Sequence, residues 1–461
     1  MLVSEIVRVT KGVLLSGDPS ADIAPERMST DSRTIGRGGF FIALKGANFN
    51  ANRFLEEVFR KGAIGAVIMG QGPKDRIKGK IIIRVKDTTK ALQDIARSHR
   101  MKFRIPVIAV TGSNGKTTAK EMIWRVLSSR YNVLKNEGTK NNHIGVPQTL
   151  LRLKAKHDIC VLELGTNHKG EIKVLGDIAR PTVCVMMNIG PSHLEFLSSL
   201  KGVYEEKKRI LGTFFKASGG TAVLNGDDEY LAGIRGKGFR IFKFGFKESN
   251  DYRGCVISRD RNGIKFSLNG RGEFALRLLG THNVYNALAA ITVARQFRVS
   301  YESIRKALLA HRPAHMRLDP EKVNGVDIIN DAYNSNPMSM KQALEVVQYY
   351  PAKKKWVVIG DMLELGKDSV GFHRMIGELA AKSGVEGLLT FGRLSKHALS
   401  AAFECGMDKG SLRHCSSPDE IAAVLKKVTR KGDVVLLKGS RAMRLEEVLD
   451  KLKTKNLKPK V

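Results

Sequence analysis

A mostly parallel α/β architecture in three domains is what this sequence of 461 residues predicts. The length calls for two to four domains, each with chain enough for a sizeable core. Apolar runs that read as buried strands alternate with stretches of helical spacing, the pattern of parallel sheets covered by helices. The strand-like run 106–110 opens directly into Thr111-Gly112-Ser113-Asn114-Gly115-Lys116-Thr117-Thr118, and that turn into a helical pattern over 119–127.

Taken in order, residues 1–100 form a small α/β unit, with strands over 39–44 and 65–69 and a helix around 51–61. Residues 101–311 contain the glycine-rich turn and further buried strands over 158–164 and 182–188. The stretch 311–315, His-Arg-Pro-Ala-His, reads as a hinge into a third unit over 312–461. There the strands 355–361, 387–392 and 433–439 end in Gly or Asp. Ligands of open parallel sheets bind outside the carboxyl ends of the strands, so a nucleotide is expected between the second and third units. The lysine-rich tail 451–460 is expected to fray.

The turn at 111–118 is the most informative stretch. A glycine-rich turn between strand and helix aims backbone N–H groups at an anion. Lys116 can reach the outer phosphates of a nucleotide, and the Thr117 hydroxyl can bind Mg²⁺. Val110 stands where the strict phosphate-loop pattern wants a small residue, so the match is to Gly-Lys-Thr and its context. An ordinary junction would have no packing reason to carry Asn-Gly-Lys-Thr.

Composition excludes several classes. No run of about 18 apolar residues appears, so no membrane span is expected. The N-terminus lacks a secretory signal pattern, and the five cysteines are scattered. Cys160 and Cys184 lie in apolar runs and read as reduced core residues of a cytoplasmic protein. No zinc site is visible. The formal charge of +33 is spread along the chain, with dense patches at 205–209, 353–355 and 451–460. It admits a diffuse solvated surface, peripheral association with an anionic membrane, or nucleic acid.

Three further side chains stand out near the phosphates. Glu163 ends a buried strand, placed as a metal ligand or water-binder, against the plainer reading of a solvated strand end. His193 follows the next strand and is either structural or a second metal ligand. Lys207 lies on a charged helix, and composition alone makes it solvated surface.

Asn114 to Thr118, Asn225-Gly226-Asp227-Asp228 and Gly280-Thr281-His282-Asn283-Val284-Tyr285-Asn286-Ala287-Leu288-Ala289-Ala290 together resemble motifs of the Mur ligase family, the ATP-dependent amide-forming enzymes that build the peptidoglycan stem peptide. The resemblance covers nearly the whole chain. Further stretches, 141–147, 163–172, 331–337, 360–366 and 438–441, are similar to the branch that adds D-alanyl-D-alanine to UDP-N-acetylmuramoyl-tripeptide. This resemblance implies a UDP-sugar-binding domain over 1–100, an ATP-binding domain over 101–311 and a Rossmann-like ligase domain over 312–461. It implies that ATP is held by Gly112, Ser113, Asn114, Gly115, Lys116, Thr117, Thr118, Asn283, Arg317, Asp331, Tyr333 and Asn334. Two Mg²⁺ ions are implied at Thr117, Glu163, His193 and Lys207, with Lys207 carried as a carbamate. Ser32 and Arg33 would hold the uridine diphosphate, and Asn142 would contact the same substrate. Met316 replaces the glycine usual before Arg317, and Asn50-Ala51-Asn52-Arg53-Phe54 departs from the family's Asp-Gly-His-x-Phe.

The resemblance makes UDP-N-acetylmuramoyl-tripeptide and D-alanyl-D-alanine the expected partners; a monomer is the default expectation, and the cysteine usage places it in the cytoplasm. Rival readings are another amino-acid-adding Mur ligase, a pseudomurein ligase, or a folylpolyglutamate synthetase, which usually has Gly-Ser where Thr117-Thr118 stand. From another class comes a basic phosphate-loop ATPase acting on nucleic acid. With 7% aromatics and no aromatic–basic clustering, the stacking platform that reading needs is not evident.

Overall fold

The computed structural model describes residues 1–46, 49–71, 79–214, 219–236, 238–270 and 272–454. Residues 455–460 of the tail expected to fray lie outside that range. Three sheets follow one another along the chain. The first is ordered Val13–Ser16, Ile81–Val85, Gly65–Met69, Phe40–Ile42, Met28–Ser29, and all its pairings are parallel except the first. Its last helix, Thr88–Met101, starts where the Asp87 carboxylate accepts the Thr89 and Lys90 N–H groups. Near the other end of that helix, buried Arg100 donates to the carbonyls of Phe103, Ile105 and Ala179. One guanidinium thereby fixes the chain's entry into the second sheet.

The second sheet is ordered Glu273–Leu276, Gly263–Leu268, Tyr252–Asp260, Arg240–Gly245, Thr221–Asn225, Val183–Met186, Val107–Thr111, Ile159–Glu163, Val133–Lys135. Every pairing from Val133–Lys135 to Tyr252–Asp260 is parallel, and Gly263–Leu268 and Glu273–Leu276 extend the other edge through antiparallel pairings. Val107–Thr111 is buried at every residue because its neighbours flank it on both sides and helices cover both faces. The helix His282–Gln296 is buried along most of its length and packs against Lys116–Leu127, which starts at Lys116 rather than at 119.

The third sheet is ordered Asp319–Val323, Val326–Asp331, Val434–Lys438, Lys355–Gly360, Gly387–Phe391, Leu412–Cys415, antiparallel only at its first hairpin. Cys160 and Cys184 are buried free thiols, and burial pushes the Cys160 thiol up to about 12. No helix among the described residues is long and apolar enough to cross a membrane.

Neither helix nor strand occurs between Leu309 and Asp319, the segment joining the second and third sheets. His311 in this segment is 5% exposed, and its Nδ1 has no hydrogen-bond partner. Burial, helped by Arg125, Lys135 and Arg312, lowers its pKa from 6.5 to about 4. Above pH 6.5 the ring is neutral in folded and unfolded chains alike. As pH falls from 6.5 to 4 only the unfolded chain takes up the proton, so stability falls, by roughly 3 kcal/mol. Urea unfolding across this window checks it: His311→Gln should show a shallower loss than the parent, and equal slopes contradict the assignment.

Candidate active site

The site is built on the carboxyl ends of strands in the second and third sheets. Val107–Thr111 delivers the chain into the phosphate loop, and the loop is pinned from the neighbouring strand's exit. Ser113 N–H donates to Asn188 O at 2.9 Å, and Asn114 N–H to Asn188 Oδ1 at 2.8 Å. Gly115 turns at φ 79°, and a Cβ there would lie 2.5 Å from Asn286 Oδ1. Only glycine gives both that turn and that approach. The helix Lys116–Leu127 then begins, with first-turn N–H groups that have no intrahelical acceptor.

Lys116 folds back over this loop, its Nζ donating to Gly112 O at 2.8 Å and Ser113 O at 3.1 Å. Loss of water lowers its pKa; Glu163 opposes that shift and Arg317 adds to it. Glu163 is 1% exposed at the end of its strand. Its Oε2 accepts the Thr117 hydroxyl at 2.8 Å, and its Oε1 accepts the Asn141 amide at 2.7 Å. Arg317 reaches across from beyond the hinge, Nη2 at 3.4 Å from Thr117 Oγ1, with its guanidinium 4.1 Å from the Tyr333 ring centroid. Met316 before it takes the left-handed conformation at φ 59°. The methionine therefore adopts the backbone that a glycine would favour there.

Asp331 ends its strand with Oδ2 2.6 Å from Lys438 Nζ and Oδ1 accepting Leu318 N–H at 3.1 Å. Lys438 also donates to Asn334 O at 3.0 Å. Asn283 is buried, its amide donating to Leu279 O at 2.6 Å while its Oδ1 accepts from Asn286 at 2.8 Å. The two domains also meet through paired amides: Asn114 donates to Asn336 at 3.1 Å and Asn336 to Asn114 at 2.7 Å. His193 and Glu364, both left-handed at φ 53° and 62°, close another contact, Nδ1 to Oε2 2.6 Å apart. Burial lowers the His193 pKa, and Glu364 opposes it.

These residues enclose one cleft of about 550 Å³. Ser113 to Thr118, Asn142, Glu163, His193, Asn283, Arg317, Asp331, Tyr333 and Asn334 all line it. Gly112, whose carbonyl accepts Lys116 Nζ, and Lys207 are not among the lining residues. Ser32 and Arg33 are on the first domain, away from the cleft walls; Arg33 is exposed and paired with Asp31. A connection nevertheless runs between them: Asn142 starts a segment whose Gln148 donates to Thr30 Oγ1 at 2.6 Å. In the departing stretch, Asn50 caps its own turn and Arg53 lies over the Phe49 and Phe54 rings.

Lys207 corrects the composition-based reading as solvated surface. It is 1% exposed, and burial with the nearby Lys116 charge pushes its pKa well below the lysine range, against Glu206. Its neighbour Glu206 accepts the Gly170 and Ile172 N–H groups. Sequence reasoning missed Asn141, Glu364, Asn336 and Lys438 as site residues. Lys438 carried a signal, a charge closing the otherwise apolar strand Val434–Lys438. The others depend on contacts between distant segments.

No group of three or more His, Cys, Asp or Glu suited to a metal occurs among the described residues. Magnesium does not need one, since it takes one or two carboxylates and leaves its other positions to water and phosphate oxygens. A hydroxyl and a buried carboxylate 2.8 Å apart beside a phosphate loop fit that ion.

Two family models match the chain: Mur ligase middle domain over residues 110–294, and Mur ligase, glutamate ligase domain over 316–441. The UDP-N-acetylmuramoyl-tripeptide--D-alanyl-D-alanine ligase of Bacillus subtilis is 34% identical over 98% of both chains. The crystal structure of MurF from Acinetobacter baumannii superposes with a TM-score of 0.89 at 30% identity, covering 98% of this chain and 99% of that one. MurF ligase from Thermotoga maritima, solved in complex with ADP, gives 0.83 at 27% identity over 94% and 98%. The chain belongs to the Mur ligase family.

Proposed function

We infer that this enzyme is the ATP-dependent ligase that joins D-alanyl-D-alanine to UDP-N-acetylmuramoyl-tripeptide, making the pentapeptide precursor of peptidoglycan. The observation that carries this is the cleft itself. Lys116, Thr117 and Glu163 from the second domain face Arg317, Asp331 and Tyr333 from the third, in a chain aligned end to end with ligases of that name. ADP in the Thermotoga relative supports ATP as the nucleotide.

In this reading residues 1–100 hold the sugar nucleotide, 101–311 the ATP and 312–461 the dipeptide. Ser32 and Arg33 take the uridine diphosphate, and the segment from Asn142 to Gln148 carries the peptide toward the cleft. The tripeptide's terminal carboxylate attacks the γ-phosphorus, the bond to ADP breaks, and an acyl phosphate forms. The free amine of D-alanyl-D-alanine then attacks that carbonyl, loses a proton and expels phosphate. Such a transfer asks the protein mainly for positioning and charge neutralisation. First-turn N–H groups and Lys116 grip the phosphates, Asn283 meets the adenine, Asp331 the ribose, and Tyr333 and Asn334 flank it. Thr117, Glu163, His193 and a carbamate on Lys207 would hold magnesium, which when bound would further neutralise phosphate charge.

The depressed pKa of Lys207 supports the carbamate, because only a neutral amine combines with CO₂. Carbon-13 NMR with labelled bicarbonate should give a carbamate resonance that Lys207→Arg lacks; a spectrum unchanged by that substitution contradicts it. The spread of basic residues favours a monomer that attaches peripherally to anionic surfaces.

The acyl phosphate is tested with tripeptide carrying oxygen-18 in its terminal carboxylate. One labelled oxygen should appear in the released phosphate. Unlabelled phosphate alongside labelled pentapeptide overturns the mechanism.

A further inference from the structure

The cleft occupies the carboxyl ends of the third sheet's strands, and the opposite end carries a different chemistry. There three loops lie side by side, Gly432 N–H donating to Gly325 O at 3.0 Å and Lys353 N–H to Gly432 O at 2.9 Å. The glycines leave room for lysine stems: a Cβ on Gly325 would lie 2.9 Å from Lys431 Cγ, and one on Gly432 3.3 Å from Lys353 Cδ. Lys427 and Arg430 extend the row where helix Pro418–Val428 ends, and all four cations are exposed. The acids at this end are already engaged. Asp327 pairs with Lys322 and Glu386 with Lys354, while Asp433 is buried and accepts the Lys354 and Arg430 N–H groups. Lys353, Lys427 and Lys431 have no ion-pair partner among the described residues.

Beside this row opens a groove of about 270 Å³, floored by Val323, Val326, Ile328 and Leu452 and edged by Arg430 and Lys431. Basic side chains around an apolar slot match a lipid's anionic head and acyl chain. Single-stranded nucleic acid would instead call for stacking aromatics, and none lines the groove among the described residues. We propose that this end of the third domain is the docking face for an anionic lipid bilayer, with Lys353, Lys427 and Lys431 on the headgroups and the groove receiving an acyl segment. Docked this way, the enzyme holds its catalytic cleft away from the membrane. The proposal rests on the reading of the chain as a peripheral protein and names the face that does it.

The test is sedimentation of the full chain with vesicles of phosphatidylcholine alone or mixed with phosphatidylglycerol. Binding should require phosphatidylglycerol. The variant Lys353→Glu/Lys427→Glu/Lys431→Glu should partition at least roughly 100-fold less, since each of the three cations removed contributes about a fivefold factor near an anionic surface and the added carboxylates repel it further. A control of equal charge change, Lys11→Glu/Lys265→Glu/Arg277→Glu, should stay within a few-fold of the parent, and both variants should keep normal ligase turnover. Equal loss in the two triple variants overturns this face while leaving peripheral attachment standing. No binding of the parent to the mixed vesicles overturns both. Tighter binding to an RNA oligonucleotide than to vesicles, abolished by the first variant, overturns lipid as the occupant.

Discussion

Lys116→Ala should lower turnover by at least 10²–10³-fold, with little change in folding stability. Its ammonium is the cation lying over the phosphate loop, held by two backbone carbonyls at 2.8 and 3.1 Å. Removing one preorganised stabiliser of transition-state charge costs about 3–4 kcal/mol. The stability effect is small because those carbonyls lie beside an open cleft, where water replaces the ammonium. Single-turnover phosphate transfer and thermal unfolding of the same sample separate the two effects. Near-normal transfer removes Lys116 from the chemistry, and a large loss of melting temperature turns its role into a structural one.

Lys438→Met should produce the largest stability effect among the cleft residues, about 3 kcal/mol. Lys438 is 1% exposed, and its side chain contacts the Asp331 carboxylate at 2.6 Å. Taking away one partner of a buried pair leaves a charge without compensation, which typically costs 3–5 kcal/mol. The lower end applies because Asp331 keeps the Leu318 N–H. Adding Asp331→Asn removes the stranded charge, so the double variant should regain much of the lost stability while its ATP affinity stays weak. Denaturant unfolding with ATP titration checks both halves. A double variant as unstable as the sum of the two single variants contradicts the pair.

The core strands were legible because burial on both faces writes itself as an unbroken apolar run. Val107–Thr111 and Val434–Lys438 are of that kind. The edges were not. Asp319–Val323 reads Asp-Pro-Glu-Lys-Val, which has turn chemistry but lies at a sheet edge, where proline costs no ladder bond. The strand Tyr252–Asp260, parallel to one neighbour and antiparallel to the other, is mostly solvent-facing and so carries no apolar run.

The site divides in the same way. Residues on the phosphate loop and at strand ends, such as Lys116 and Glu163, are local features of strand–turn–helix chemistry, whereas Asp331 was given only by the family resemblance. Glu364 meets His193, and Asn336 meets Asn114, only because the third domain folds down on the second, and neither pairing leaves a trace in local spacing. Lys207 was misjudged by composition because its helix carries charge on both faces: Glu206 and Lys207 are buried while Glu205 and Lys208 stay exposed, and residue type alone does not separate the two sets.

The most direct test of the account is phosphate release from ATP and Mg²⁺ with each substrate omitted in turn. Both lysine- and diaminopimelate-containing UDP-N-acetylmuramoyl-tripeptides and D-alanyl-D-alanine should be supplied. Release should require a tripeptide and the dipeptide together and yield a UDP-pentapeptide by mass. Release indifferent to the dipeptide contradicts this function and moves the chain to another amide ligase of the same family.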